Sequence, residues 1–222
     1  MKNWKKSALL CLCAIALMAA TVLGTMAWLT DQASVVNTMT VGKVDITVDE
    51  AKVNPDGTPV AGANRVKENK YHLIPGQTYT KDPTMTVMKD SEKAYVRILV
   101  TVNCYDKLTA IFGDSFLPQY FVSGWDNAVW VSTQEISEDA ENNTATYEFR
   151  YKESVKPDGT SDVVLPALFT SFTIPGTLDG EDLESINNLK ITVTGHAIQA
   201  TGFDDDDAAW AAFDAQVAPA NP

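Results

Sequence analysis

Apolar and polar residues alternate along most of this chain with a period of two, the spacing of a strand whose two faces meet different surroundings. In Lys43–Val48 (KVDITV) the residues Val44, Ile46 and Val48 alternate with Lys43, Asp45 and Thr47. Across Ala94–Asn103 (AYVRILVTVN) Val96, Ile98, Val100 and Val102 share one face. Thr144–Lys152 sets Tyr147, Phe149 and Tyr151 against Glu148, Arg150 and Lys152, and Leu189–Gln199 sets Leu189, Ile191 and Val193 against Lys190, Thr192 and Thr194. β-Branched and aromatic residues fill these runs, as a half-buried pleated surface requires. Further strands are expected over Tyr79–Met88, Tyr120–Ser123, Ala128–Thr133 and Leu168–Ile174.

Turn chemistry separates the runs. Asn54-Pro55-Asp56-Gly57-Thr58 and Lys156-Pro157-Asp158-Gly159-Thr160 are nearly one turn used twice, and Pro75-Gly76 and Pro175-Gly176 add two more. Proline presets φ for the first turn position and glycine supplies positive φ. Helical stretches are short: Asp106–Phe112, Glu181–Asn187, and the tail Asp204–Gln216 (DDDDAAWAAFDAQ). In that tail Asp204 is expected to cap the helix, the next aspartates favour the positive end of its dipole, and Trp210 and Phe213 fall on one face. The pattern predicts an all-β protein, an antiparallel β-sandwich with a few short helices. One domain is expected over residues 41–203, followed by a short acidic helix and tail over 204–222.

The N-terminus breaks this pattern. Lys2, Lys5 and Lys6 are followed by Ser7–Met26 (SALLCLCAIALMAATVLGTM), which carries no charge, and then by Ala27-Trp28-Leu29-Thr30-Asp31. A basic start, an apolar middle and small residues at the junction form a secretory signal over residues 1–27, a signal helix cut between Ala27 and Trp28. The alternative is an uncleaved anchor, since twenty apolar residues span a bilayer core of roughly 30 Å. Either way the lysines hold the N-terminus inside and the remainder works outside the cytoplasm. The membrane is met only through this segment.

Composition narrows the function. The formal charge is −12, and loss of Lys2, Lys5 and Lys6 with the signal takes it to −15. That argues against nucleic acid and anionic lipid as partners. Of three cysteines, Cys11 and Cys13 leave with the signal, so the 195-residue mature chain has Cys104 alone, with neither an internal disulfide nor a cysteine metal cluster. Cys104 is expected as a small buried hydrophobe. The two histidines, His72 and His196, belong to no HExxH, and His196 is expected solvated on the polar face of the last strand. No GxSxG, Cys–His pairing or phosphate loop appears. Asp204–Asp207 lacks the spacing of a calcium loop, so helix capping is the better reading. Asn142-Asn143-Thr144 matches the glycosylation sequon, a match common by chance. The expectation is a non-enzyme with no cofactor, no catalytic residues and no metal site.

Several segments in order resemble the TasA/camelysin family, exported proteins of Gram-positive bacteria processed by a SipW-type signal peptidase. The long apolar signal ends in Ala27-Trp28-Leu29-Thr30-Asp31, similar to the family's Ala-(aromatic)-Phe-(Thr/Ser/Asn)-Asp junction, with Leu29 where Phe is more usual. Asn37–Asp49 (NTMTVGKVDITVD) is similar to the family's first strand. Leu73-Ile74-Pro75-Gly76-Gln77 with Thr80-Lys81 looks like its proline–glycine turn. Val87–Val102 resembles its strand pair and Ile191–Ala200 (ITVTGHAIQA) its last strand. The likeness covers most of 20–105 and 165–216; the middle, 106–164, has no counterpart.

The resemblance implies a jelly-roll sandwich, secreted to the cell surface or biofilm matrix, whose new N-terminus inserts as a strand into the next subunit of an extracellular fibre. The partners it implies are further copies of the chain, related matrix proteins, and the signal peptidase. Strand addition is also physically reasonable here. Residues 28–40 (WLTDQASVVNTMT) carry the apolar anchors Trp28, Leu29, Val35, Val36 and Met39 with no proline or glycine, so the donor strand is placed on Trp28, Leu29, Val35 and Val36. Pairing of this segment within its own domain is the alternative, giving a monomeric secreted or surface-bound binding or adhesion module. A secreted protease is the third reading, since camelysin has been described as a metalloprotease; the missing zinc motif argues against it.

Overall fold

The computed structural model describes residues 42–113 and 117–217. The signal segment 1–27, the Ala27–Trp28 junction and the anchors Trp28, Leu29, Val35 and Val36 lie outside the described residues. Strands β1 (Ile46–Asp49), β2 (Thr78–Thr80), β3 (Thr84–Val87) and β4 (Ala94–Asn103) come first. Helices α1 (Tyr105–Phe112) and α2 (Pro118–Phe121) lead to β5 (Val122–Ser123), β6 (Trp130–Asp139), β7 (Thr144–Tyr151), β8 (Val163–Val164) and β9 (Ser171–Thr173). Helix α3 (Gly180–Ser185) precedes β10 (Ile191–Gln199), and α4 (Asp206–Val217) follows.

The strands form three sheets, ordered β10-β4-β7-β6, β1-β3-β8 and β2-β9-β5. Every strand pair described is antiparallel. The protein is predominantly β with a few short helices, an arrangement consistent with a β-sandwich. The alternation in β4 explains why it is central: Val96, Ile98, Val100 and Val102 all turn inward and are buried. They join Tyr147 and Phe149 of β7 and Met85 and Val87 of β3 in the main core. Gly195 of β10 permits close approach of the layers, since a Cβ there would stand 2.5 Å from Val48 Cγ2 and 2.6 Å from Met85 Cε. A second core gathers Tyr79, Phe121, Phe172 and Ile174 around the third sheet. There the Phe172 ring stacks on Tyr79 and Phe121 with centroids 5.1 and 5.3 Å apart.

Three expected elements differ in the structure. The run Tyr79–Met88 divides into β2 and β3, which belong to different sheets. Pro83 lies between them and has no N–H for a ladder, while Lys81 and Asp82 turn to ion pairs with Glu50 and Arg65. The run Tyr120–Ser123 begins as helix, because Pro118 at the start of α2 presets a helical φ and only Val122 and Ser123 extend. The strand expected over Ala128–Thr133 instead runs from Trp130 to Asp139, through an irregularity between Ser132 and Ile136 where Gln134 has a φ of 60°. This bulge interrupts the period of two and hides the second half of the strand from pattern reading.

Helix α4 covers part of the outer face of the four-stranded sheet. Asp205, not Asp204, caps it: its Oδ1 accepts from the Ala208 N–H at 2.8 Å. Trp210 and Phe213 share a face as expected, with ring centroids 5.7 Å apart. His196 is not solvated as expected. It is half-buried beneath this helix, its ring centroid 4.8 Å from that of Phe213.

Candidate functional site: a groove between two strand edges

Among the described residues β1 pairs only with β3, and β10 only with β4, so each stands at the edge of its described sheet. The two edges lie side by side, in contact at Val48 and Gly195. Between them opens a groove of about 630 Å³. Its apolar lining comes from both layers and from the second core: Val48 of β1, Ile191 and Val193 of β10, with Leu189, Leu73 and Phe172. The alternation that makes β10 a strand also places Ile191 and Val193 on the same face, toward the main core.

The segment 66–73 builds the opposite wall and is held by polar contacts. Val66 and Glu50 exchange two backbone hydrogen bonds of 2.8 Å. Asn69 Nδ2 donates to Glu50 Oε1 at 2.9 Å and to the Ala51 carbonyl at 2.8 Å, while its Oδ1 accepts from the Val53 N–H at 3.0 Å. Tyr71 donates its hydroxyl proton to the Thr80 carbonyl at 3.0 Å, and its ring meets Phe172 edge-on at 5.1 Å. Burial, reinforced by the Glu50 charge, pushes the Tyr71 phenol well above its usual range, so this hydroxyl remains a donor. Behind the wall Lys81 Nζ donates to Glu50 Oε2 at 2.5 Å.

Exposed Lys67, Lys70 and Lys190 stand around the groove together with exposed Glu68, while Asp49 and Glu50 of its lining are paired with Arg65 and Lys81. An apolar floor flanked by strand edges and lysines suits an extended segment with alternate apolar side chains, because edge N–H and C=O groups supply backbone partners and the floor supplies pockets.

Other residues singled out from sequence lie elsewhere. His72 is exposed, its N–H bonded to the Pro55 carbonyl at 2.7 Å, while His196 lies on the outer face of β10. Among the described residues no group of three or more His, Cys, Asp or Glu side chains is placed to hold a metal ion. Cys104 packs half-buried against the main core at the start of α1, and burial followed by the Asp106 charge pushes its thiol up. Of the aspartates in the tail, Asp206 and Asp207 pair with Arg150.

Sequence reasoning missed Asn69, Tyr71 and the Glu50–Lys81 pair as parts of the groove. The only local signal was the short alternation Tyr71-His72-Leu73, ahead of the turn at Pro75-Gly76. Compared with known proteins, the chain matches no family model, and no curated protein or solved structure is significantly similar to it.

Proposed function

We propose that this protein is an exported, non-enzymatic structural subunit that assembles head to tail into extracellular fibres of the biofilm-matrix kind, the role implied by its resemblance to the TasA/camelysin family. On this reading a SipW-type peptidase cuts after Ala27, and residues 28–40 of one copy lie as a strand along the groove of the next. Trp28, Leu29, Val35 and Val36 supply the apolar side chains, and the jelly-roll topology belongs to the same reading. The observation that supports it is that, among the described residues, two strand edges, β1 and β10, open on one groove with an apolar stretch of Val48, Ile191, Val193 and Leu73 in its lining. An unpaired edge beside an apolar floor is a hazard for a protein that must stay monomeric and a socket for one that polymerises. A contact between two different surfaces of one molecule does not close on itself and propagates as a filament.

Electron microscopy tests this on the chain beginning at Trp28 and on the same chain lacking Trp28–Val36. The first forms filaments and the second stays monomeric. Filaments from the shortened chain would overturn the donor role. A monodisperse monomer from the first, with Trp28–Val36 protected from hydrogen exchange, would point to a monomeric binding module instead. N-terminal sequencing of the exported protein checks the cut after Ala27.

A further inference from the structure

On the outer face of the four-stranded sheet, opposite the main core, α4 is seated on a cluster of charged and aromatic groups. Arg97 lies at the middle of β4 on the polar side of the alternation, yet it is only 3% exposed. Its guanidinium carbon stands 4.4 Å from the Trp210 ring centroid and 5.2 Å from that of Phe213. Its Nη1 donates to Glu148 Oε2 at 3.2 Å and to Asp214 Oδ2 at 3.1 Å, and its Nη2 donates to Asp214 Oδ1. One strand over, Arg150 donates to Glu148 at 2.6 Å, to Asp206 at 3.2 Å and to Asp207. Three carboxylates of the helix and Glu148 of the sheet therefore answer two guanidinium groups.

A histidine joins this cluster from the neighbouring strand: His196 of β10 stands on the other side of Arg97 from Arg150. Arg97 Nε donates to His196 Nδ1 at 3.3 Å, and the imidazole packs on the Phe213 ring. Arginine has only donors, so Nδ1 must present its lone pair. Adding a proton to a neutral imidazole of this tautomer places it on Nδ1. An N–H would then point at an N–H, and a third cation would join two guanidinium groups under the helix.

We propose that α4 is an acid-released latch: protonation of His196 breaks the seat made by Arg97, Trp210 and Phe213, and the helix leaves the sheet. Every group needed is in place. Arg97 of β4 and Arg150 of β7 oppose the new charge; Glu148 of β7 and Asp206, Asp207 and Asp214 of α4 favour it but are already engaged by the two arginines. Burial, followed by the Arg97 charge, holds His196 below its usual range. The docked state thus prefers the neutral imidazole. Docking is at full strength above about 6.5, the ordinary histidine value, and weakens as pH falls below it. The Asp214 carboxyl, held below its usual range chiefly by the hydrogen bond from Arg97, acts in the same direction at lower pH. Histidine is the side chain suited to such a switch in mildly acid conditions. The inference is independent of fibre assembly.

The test is hydrogen exchange on the full chain, corrected for intrinsic rates, at about pH 7.5 and about pH 5.5, either side of the ordinary histidine value. Amides of α4 lose protection on acidification while those of β4 keep theirs, and in His196→Gln the helix keeps equal protection at both values. Unchanged protection of α4 in the unaltered chain, or an equal loss in His196→Gln, would overturn the latch. Should His196→Gln fail to fold, NMR titration of the unaltered chain decides. His196 titrates below the usual range and the Phe213 ring resonances move with it. Titration at or above that range, or Phe213 resonances that stay still, sinks the idea.

Discussion

Lys81 and Glu50 meet at 2.5 Å with side chains only 8% and 7% exposed, a paired charge behind the wall of the groove. Removing one partner strands the other. Lys81→Met leaves the buried Glu50 carboxylate without its counter-charge, held by the Asn69 amide, and a loss of about 3–5 kcal/mol is expected for a broken buried pair. Replacing both, as in Lys81→Met with Glu50→Leu, restores most of it, because a well-packed apolar pair of similar volume is often no less stable. Urea unfolding midpoints of the two single variants and the double variant measure the coupling.

Gly195 faces Val48 across the two layers. A methyl group there would press on Val48 Cγ2 at 2.5 Å as well as on the flexible end of Met85 at 2.6 Å. Val48 cannot swing away as Met85 can. Gly195→Ala therefore loses about 1–3 kcal/mol, the usual range for overpacking. Thermal unfolding reads it, and Gly195→Ala combined with Val48→Ala recovers part of the loss.

The two related turns are expected to respond differently to one substitution. Gly57 and Gly159 have φ of 80° and 81°, and in both turns the aspartate just before the glycine accepts from the threonine just after it. Alanine in this left-handed conformation costs about 1–2 kcal/mol at either site. At Gly57 the new methyl also meets the Tyr79 backbone and ring at 2.7 Å, while at Gly159 it meets open space. Gly57→Ala should be the worse by roughly another 1–3 kcal/mol, as chemical denaturation of the pair of variants would reveal.

If the groove is the socket for a neighbouring copy, a charge at its floor blocks assembly with little effect on the fold. Ile191 is half-buried at the end of β10 beside exposed Lys190, so Ile191→Lys lets the new ammonium reach water. The variant remains folded by circular dichroism and forms no filaments. Filaments of unchanged length and yield would place the contact elsewhere.

Legibility followed how local the cause was. Strand β4 has the bounds of its expected run, Ala94–Asn103, because its alternation is unbroken and its inward face wholly apolar. The expected second strand at Tyr79–Met88 divided because a ladder contact is lost at Pro83, and because the two halves pack in different sheets. Arg97 shows the limit most clearly. Its place on the polar side was readable, but its burial comes from a helix that contributes Asp214, 117 positions away in sequence. No window of the sequence contains both residues.

The sequence by itself determined the long unbroken strands β4, β7 and β10 and their apolar faces, where the two matching turns fall, and that the tail is a helix presenting Trp210 and Phe213 together. These follow from side-chain period and from the backbone preferences of proline and glycine, all local properties. Tertiary structure alone decided which strands stand at the edges, and therefore that β1 and β10 frame a groove. It also decided that His196 lies under α4 against Arg97, and that the Lys81 and Glu50 charges meet out of water. Strand order and burial are set by contacts between residues distant in the chain, and alternation is the same whichever neighbour a strand takes.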